Sequence, residues 1–240
     1  MQNNVESWLI NLINSWVTSS DFLAHQAFFF NTQNITELVM ATGIVTLWFY
    51  PNLKTEHHQN YRQLIVLLFL ACPPTYTICR ILQSLIHRPR PLMILPLEVH
   101  PIFAPSWEYF KTNVFSHLGS FPSDHAALLF IFITILFHIN QKLGWISLLL
   151  SVYYSFLRVG IGWHWPADIV GGALLGFLVA YTLLMNIKNL TGLLDWVIAK
   201  FDKYPARAYT IGFLVLNDFS RSFELLKGIY HLVFGYNMFH

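Results

Sequence analysis

The sequence predicts an all-α integral membrane protein: a bundle of about five transmembrane helices, an N-terminal interfacial helix and a C-terminal amphipathic tail. Three observations carry this. Of 240 residues 55% are hydrophobic and only 11% charged, against about 25% charged in ordinary soluble domains, too little to cover a soluble surface of this size. The apolar residues gather into five runs, roughly 35–51, 62–86, 123–140, 143–160 and 168–187, each long enough to cross a bilayer. Between His125 and Ile187 the charged residues are Lys142, Arg158 and Asp168 alone. Lys142 falls in a short connection, so Arg158 and Asp168 stand at or near bilayer depth and need a reason.

The elements follow in order. Residues 5–17 (VESWLINLINSWV) place apolar side chains at helical spacing, interrupted by Glu6, Asn11 and Asn14, which reads as a helix lying in the interface. No Lys or Arg precedes Lys54, so this segment lacks the positive n-region of a cleavable signal. The second span contains Pro73-Pro74, which removes backbone donors and is expected to kink it. Gly172, Gly176 and Ala180 recur every fourth residue in the last span, a small-residue stripe suited to close helix packing. Residues 192–203 and 211–234 again show apolar spacings of three and four, with too many charges for a sixth span, and read as a cytoplasmic interfacial tail. The division is thus a membrane-embedded domain over 1–190 and a helical tail over 191–240.

The net charge of +2 is too small and scattered for nucleic acid. Cys72 and Cys79 lie seven residues apart on one helical stretch, roughly 10 Å of rise, too far for a bridge. Lys54, Arg62, Lys142, Lys188, Lys200, Lys203 and Arg207 all fall on one side of the bundle, which the positive-inside rule makes cytoplasmic. The opposite side holds residues 1–34, 87–122 and 160–167, with Arg88, Arg90, Lys111 and, at the membrane edge, Arg158.

Three polar clusters interrupt the hydrophobic pattern, all at that outer end: Gln83 to Pro91 (QSLIHRPRP), Phe121 to His125 (FPSDH), and Arg158 to Asp168 (RVGIGWHWPAD). Two or three arginines make a clamp for a tetrahedral anion, because guanidinium forks match phosphate oxygens. Ser123 and the backbone N–H groups of the helix beginning after Pro122 add donors and a partial positive charge. His164 and Asp168 are one helical turn apart, so the carboxylate can hold one imidazole nitrogen and leave the other as nucleophile or base. His125, from another helix, is then a general acid. Each piece has a plainer reading: Pro-Ser-Asp is first of all a helix N-cap signal, and Asp168 could simply neutralise Arg158. The coincidence of all three clusters at one face favours phosphoryl transfer.

These residues resemble the type 2 phosphatidic acid phosphatase superfamily of lipid phosphatases, whose pattern is KxxxxxxRP, PSGH and SRxxxxxHxxxD. The third motif matches in spacing at Arg158, His164 and Asp168, and the second as Pro122-Ser123-Asp124-His125. The resemblance covers roughly residues 80–175. It implies that His164 attacks phosphorus, that Asp168 supports it, that His125 protonates the leaving oxygen, and that Arg90, Ser123 and Arg158 hold the phosphate, without metal or other cofactor. Gln83 stands where the family has lysine; Gln can still donate to the phosphate, and Arg88 or Arg80 could supply the charge. Leu157 replaces the serine before the second arginine, and Asp124 replaces glycine. PSDH, with FPSDH and GWHWPAD around it, is similar to the bacterial undecaprenyl-diphosphate phosphatase branch. This implies a plasma-membrane enzyme with an extracytoplasmic site and a polyprenyl or phospholipid phosphate as substrate. Phosphatases for phosphatidylglycerol phosphate, phosphatidic acid or lipid A phosphate, a phosphotransferase, and an inactive lipid-phosphate-binding protein are the alternatives.

Overall fold

The computed structural model describes residues 4–32, 35–49, 55–103 and 119–220. Among these the secondary structure is helical: α1 (Asn4–Ser19), α2 (Asp21–Thr32), α3 (Ile35–Trp48), α4 (Thr55–Ile86), the single turn α5 (Pro91–Ile94), α6 (Asp124–Ile139), α7 (Gln141–Gly160), α8 (Pro166–Met185), α9 (Ile187–Lys203) and α10 (Pro205–Ser220). The stretches Tyr61–Ile94, Gln141–Gly160 and Pro166–Met185 are long and apolar enough to cross a membrane, and Leu38–Trp48 and Asp124–Ile139 are shorter apolar helices. The molecule is a multi-pass membrane protein. Lys111 and residues 221–240, including the far end of the expected tail pattern, lie outside the described residues.

The main core lies between α4, α6 and α8. Leu67, Ala71, Cys72, Ile131, Phe132, Ile135 and Ala180 are buried there together, and both cysteines are buried thiols. The glycine stripe explains how α8 approaches α6. A Cβ on Gly172 would stand 2.2 Å from the Ser123 carbonyl oxygen, and one on Gly176 would stand 2.0 Å from that of Ala127. Only hydrogen at these positions lets the α8 face lie on the α6 backbone. α4 continues through Pro73-Pro74, where the Thr75 and Thr77 hydroxyls donate to the carbonyls of Ala71 and Pro73.

α1 and α9 are both docked onto the bundle. α1 packs against α7, burying Ile10, Asn14 and Val17; Asn14 Nδ2 donates to the carbonyls of Gly160 (2.8 Å) and Glu98 (3.0 Å). α9 places Leu194 and Ile198 in the main core, while Asp202 and Asp195 accept from Arg62 and Gln63 of α4. α1 and α9 therefore each have an apolar face covered by protein.

Candidate active site

Antiparallel succession brings the end of α4, the start of α6, the end of α7 and the start of α8 to one end of the bundle. The start of α6 and the first turn of α8 are joined through the backbone, the Ser123 N–H donating to the Asp168 carbonyl (3.0 Å). Ser123 is the N-cap of α6, its Oγ accepting from the Ala126 N–H. α8 opens on Pro166 at its first position, and Asp168 Oδ2 reaches back to the Trp165 N–H at 2.8 Å, the return half of a capping box. WPAD thus folds into a helix start that fixes the Asp168 carboxylate.

His164 is fully buried in the turn between α7 and α8. Its Nε2 lies 3.2 Å from Arg90 Nη1, and its Nδ1 lies 3.1 Å from the Ser120 carbonyl oxygen. Arginine can only donate and a carbonyl can only accept, so the hydrogen sits on Nδ1 and the lone pair on Nε2. Burial first, then the positive charge of Arg90, hold the imidazole pKa down to about 3, so the ring is neutral at ordinary pH. Arg90 is buried beside it, with Nη1 also donating to the Trp163 carbonyl at 2.8 Å.

Asp168 Oδ2 is 3.7 Å from His164 Nδ1, beyond hydrogen-bond length, so the Ser120 carbonyl shares the orienting role that spacing alone gave to the aspartate. Ser120 reaches that position because its N–H donates to the Arg88 carbonyl at 2.8 Å. The contact requires Gly119, where a Cβ would meet the Gln83 carbonyl oxygen at 2.6 Å. The other Asp168 oxygen accepts from Arg88 Nη1 at 2.8 Å, and Arg88 Nη2 is paired with Glu6 of α1, also at 2.8 Å. Asp168 is therefore neutralised by Arg88, not by Arg158.

Arg158 donates to Tyr154 Oη (2.6 Å) and Asn31 Oδ1 (3.2 Å), stacks on Trp163, and brings Nη2 to 3.4 Å from His125 Nδ1. Its Nε and the Ser120 Oγ are buried and have no hydrogen-bond partner among the described residues. Gln83 is fully buried and used at both ends, Nε2 donating to the Pro122 carbonyl (2.8 Å) and Oε1 accepting from Arg80 (3.2 Å). Arg80 is paired with Asp124 at 3.0 Å, and Asp124 with His125 Nδ1 at 2.9 Å.

All three polar clusters therefore meet. Sequence reasoning passed over Ser120, Glu6, Asn31, Tyr76 and Tyr154. Tyr76 and Tyr154 carried a readable signal, each standing four residues before the arginine it bonds. Ser120 carried none, since it acts through its backbone carbonyl. Among the described residues no group of three or more His, Cys, Asp or Glu is placed to hold a metal ion.

The PAP2 superfamily model matches residues 60–191, more than half of the chain and all three clusters. The chain belongs to the PAP2 superfamily. Membership makes it a phosphatase. Similar proteins include the bacitracin transport permease protein BcrC of Bacillus licheniformis, 28% identical over 63% of this chain and 66% of that one, just under two thirds of the relative's length. The provisionally named undecaprenyl-diphosphatase YbjG of Escherichia coli K12 is 26% identical over 74% of this chain and 80% of the relative. The lipid A 1-diphosphate synthase of the same organism is 38% identical over a shorter stretch, 35% of this chain and 34% of the relative. No solved structure matches the chain.

Proposed function

We propose that the chain removes the terminal phosphate of a polyprenyl diphosphate, most specifically undecaprenyl diphosphate, at the extracytoplasmic face of a bacterial plasma membrane, through a phosphohistidine on His164. The observation that carries this is the His164 ring, with Nδ1 held by a carbonyl and the Nε2 lone pair turned toward Arg90.

In this reading the terminal phosphate lies against Arg90 and Arg158, with Ser123 Oγ and the α6 N-terminus adding donors. The Nε of Arg158, without a partner among the described residues, suits such an oxygen. His164 Nε2 attacks phosphorus in line, the P–O bond to the lipid monophosphate breaks, and His125 gives its proton to that leaving oxygen. Water then attacks the phosphohistidine, His125 taking its proton, to release phosphate and restore His164. His125 keeps 18% of its side chain exposed whereas His164 keeps none. The acid therefore stands nearer the opening, where the lipid part leaves. The outward orientation rests on the distribution of lysine and arginine, and the substrate class on the likeness to YbjG, named as an undecaprenyl-diphosphatase.

The test is phosphate release from undecaprenyl diphosphate by purified protein in EDTA. Wild type is expected to be active and His164→Ala inactive though still membrane-inserted; an active His164→Ala enzyme, or dependence on divalent metal, overturns the mechanism. A second reading, transfer of the phosphate to another lipid, is favoured by the likeness to the lipid A 1-diphosphate synthase; phosphate appearing on an added lipid acceptor instead of free would select it.

A further inference from the structure

Asp124 and Arg80 are outside the set that holds phosphate, yet Asp124 is a buried charge at the site and Arg80 beside it keeps only 13% of its side chain exposed, where an ionised group persists only if paired. The carboxylate is satisfied on every side. Oδ2 lies 3.0 Å from Arg80 Nη2; Oδ1 accepts from the His125 N–H at 2.9 Å and lies 2.9 Å from His125 Nδ1. A carboxylate oxygen cannot bond a bare ring nitrogen, so this contact places a hydrogen on Nδ1. The longer 3.4 Å approach of Arg158 Nη2 to the same nitrogen is then a neighbouring charge and not the bond that orients the ring.

Each nitrogen of the Arg80 guanidinium is already engaged within the protein. Nε donates to Tyr76 Oη (2.8 Å), Nη1 to Gln83 Oε1 (3.2 Å) and Nη2 pairs with Asp124, and the guanidinium lies over the Tyr76 ring. Gln83 in turn holds the Pro122 carbonyl, immediately before Ser123. The two departures from the family pattern, glutamine for lysine at 83 and aspartate for glycine at 124, are therefore one structural unit. The cation stands one helical turn earlier, at Arg80, and is consumed by Asp124.

We propose that Asp124, held by Arg80, is a positioning residue for the general acid: it fixes the His125 ring with Nδ1–H toward the carboxylate, so that Nε2 delivers the proton to the leaving oxygen. The site then contains two parallel chains, Arg88–Asp168 behind the nucleophile His164 and Arg80–Asp124 behind the acid His125. The first runs through a 3.7 Å gap with the Ser120 carbonyl assisting, the second through direct contact. The α6 dipole also favours a carboxylate in its first turn, but a dipole requires neither the Arg80 pair nor the contact to Nδ1.

This inference rests on the phosphatase reading above, and the experiment separates the two. Asp124→Asn keeps the shape and one acceptor but removes the charge that holds the ring. With undecaprenyl diphosphate, kcat is expected to fall about 10–100-fold with KM unchanged, a part of the 10²–10⁴ typical of general acid catalysis. In a His125→Ala background the same substitution should change kcat by less than about twofold, because its effect passes through His125. If Asp124→Asn fails to accumulate in the membrane because Arg80 is left unpaired, the Arg80→Leu/Asp124→Asn protein is read in its place, with the same expectation. An unchanged kcat, a defect confined to KM, or an equal loss in the His125→Ala background overturns the proposal while leaving the phosphatase reading intact. A wild type that releases no phosphate overturns both.

Discussion

Gly172→Ala tests whether close helix packing, and not the catalytic side chains alone, sets the site. The added methyl would lie 2.2 Å from the Ser123 carbonyl oxygen and 3.1 Å from Ala126 Cβ. Both neighbours belong to the first turn of α6, and the oxygen is backbone, so no side chain can rotate away. Relief to ordinary contact, beyond 3.4 Å, requires α8 and α6 to part locally by more than about an ångström, at an overpacking cost of about 1–3 kcal/mol. The same separation would break the 3.0 Å bond from the Ser123 N–H to the Asp168 carbonyl, which registers Ser123 and His125 against Asp168 and His164. A misplacement of that size between reacting groups costs on the order of 10²-fold in rate. kcat for phosphate release should therefore fall about 100-fold while the protein remains folded, with a lower melting temperature in detergent. Gly192→Ala is the control: no described residue lies within 4 Å of its Cβ, and alanine in α9 should be neutral or stabilising by up to about 1 kcal/mol. A Gly172→Ala enzyme with wild-type kcat would refute the reasoning.

Two further substitutions follow. Arg88→Ala should lower kcat about tenfold or more with little change in KM, because Arg88 bonds Asp168 and Glu6 and stands behind the proposed nucleophile His164; a rise in KM alone would instead make it a substrate ligand. Gln83→Lys, which restores the family's cation, should fail to raise activity. It puts a second positive charge into a fully buried position 3.2 Å from Arg80 and removes the acceptor that Arg80 uses, at a cost of about 3–5 kcal/mol of stability. Lower thermal stability without a gain in kcat is the expected result, and a faster, equally stable enzyme would show that Arg80 does not occupy the lysine's place.

Much of the frame was legible along the chain. The apolar runs read as 123–140 and 143–160 became α6 (Asp124–Ile139) and α7 (Gln141–Gly160), and that at 168–187 became α8 (Pro166–Met185). Hydropathy works here because a backbone in hydrocarbon must satisfy its hydrogen bonds within its own segment, so local composition decides the element. The glycine stripe likewise announced a close contact through the one property a glycine has. What α1 and α9 touch was not legible: Asn14 and Leu194 read as parts of interfacial helices, and only the bundle supplies the Gly160 carbonyl and the core that cover them.

By itself the sequence determined the long apolar helices and the end of the bundle where charge gathers, because both follow from the cost of polar groups in lipid. It also placed the histidines at motif spacing. Only the tertiary structure decided which buried charge answers which. Asp168 had Arg158 as a candidate partner in its own segment and took Arg88, eighty residues away. Arg80, open to use as a phosphate cation, took Asp124. His164 found its second acceptor in a backbone carbonyl that no side-chain pattern marks. The physical reason is range: hydrophobic periodicity is a property of neighbouring residues, whereas a buried ion pair is chosen by geometry within about 3 Å among several groups of suitable charge, and that geometry exists only once the helices have packed.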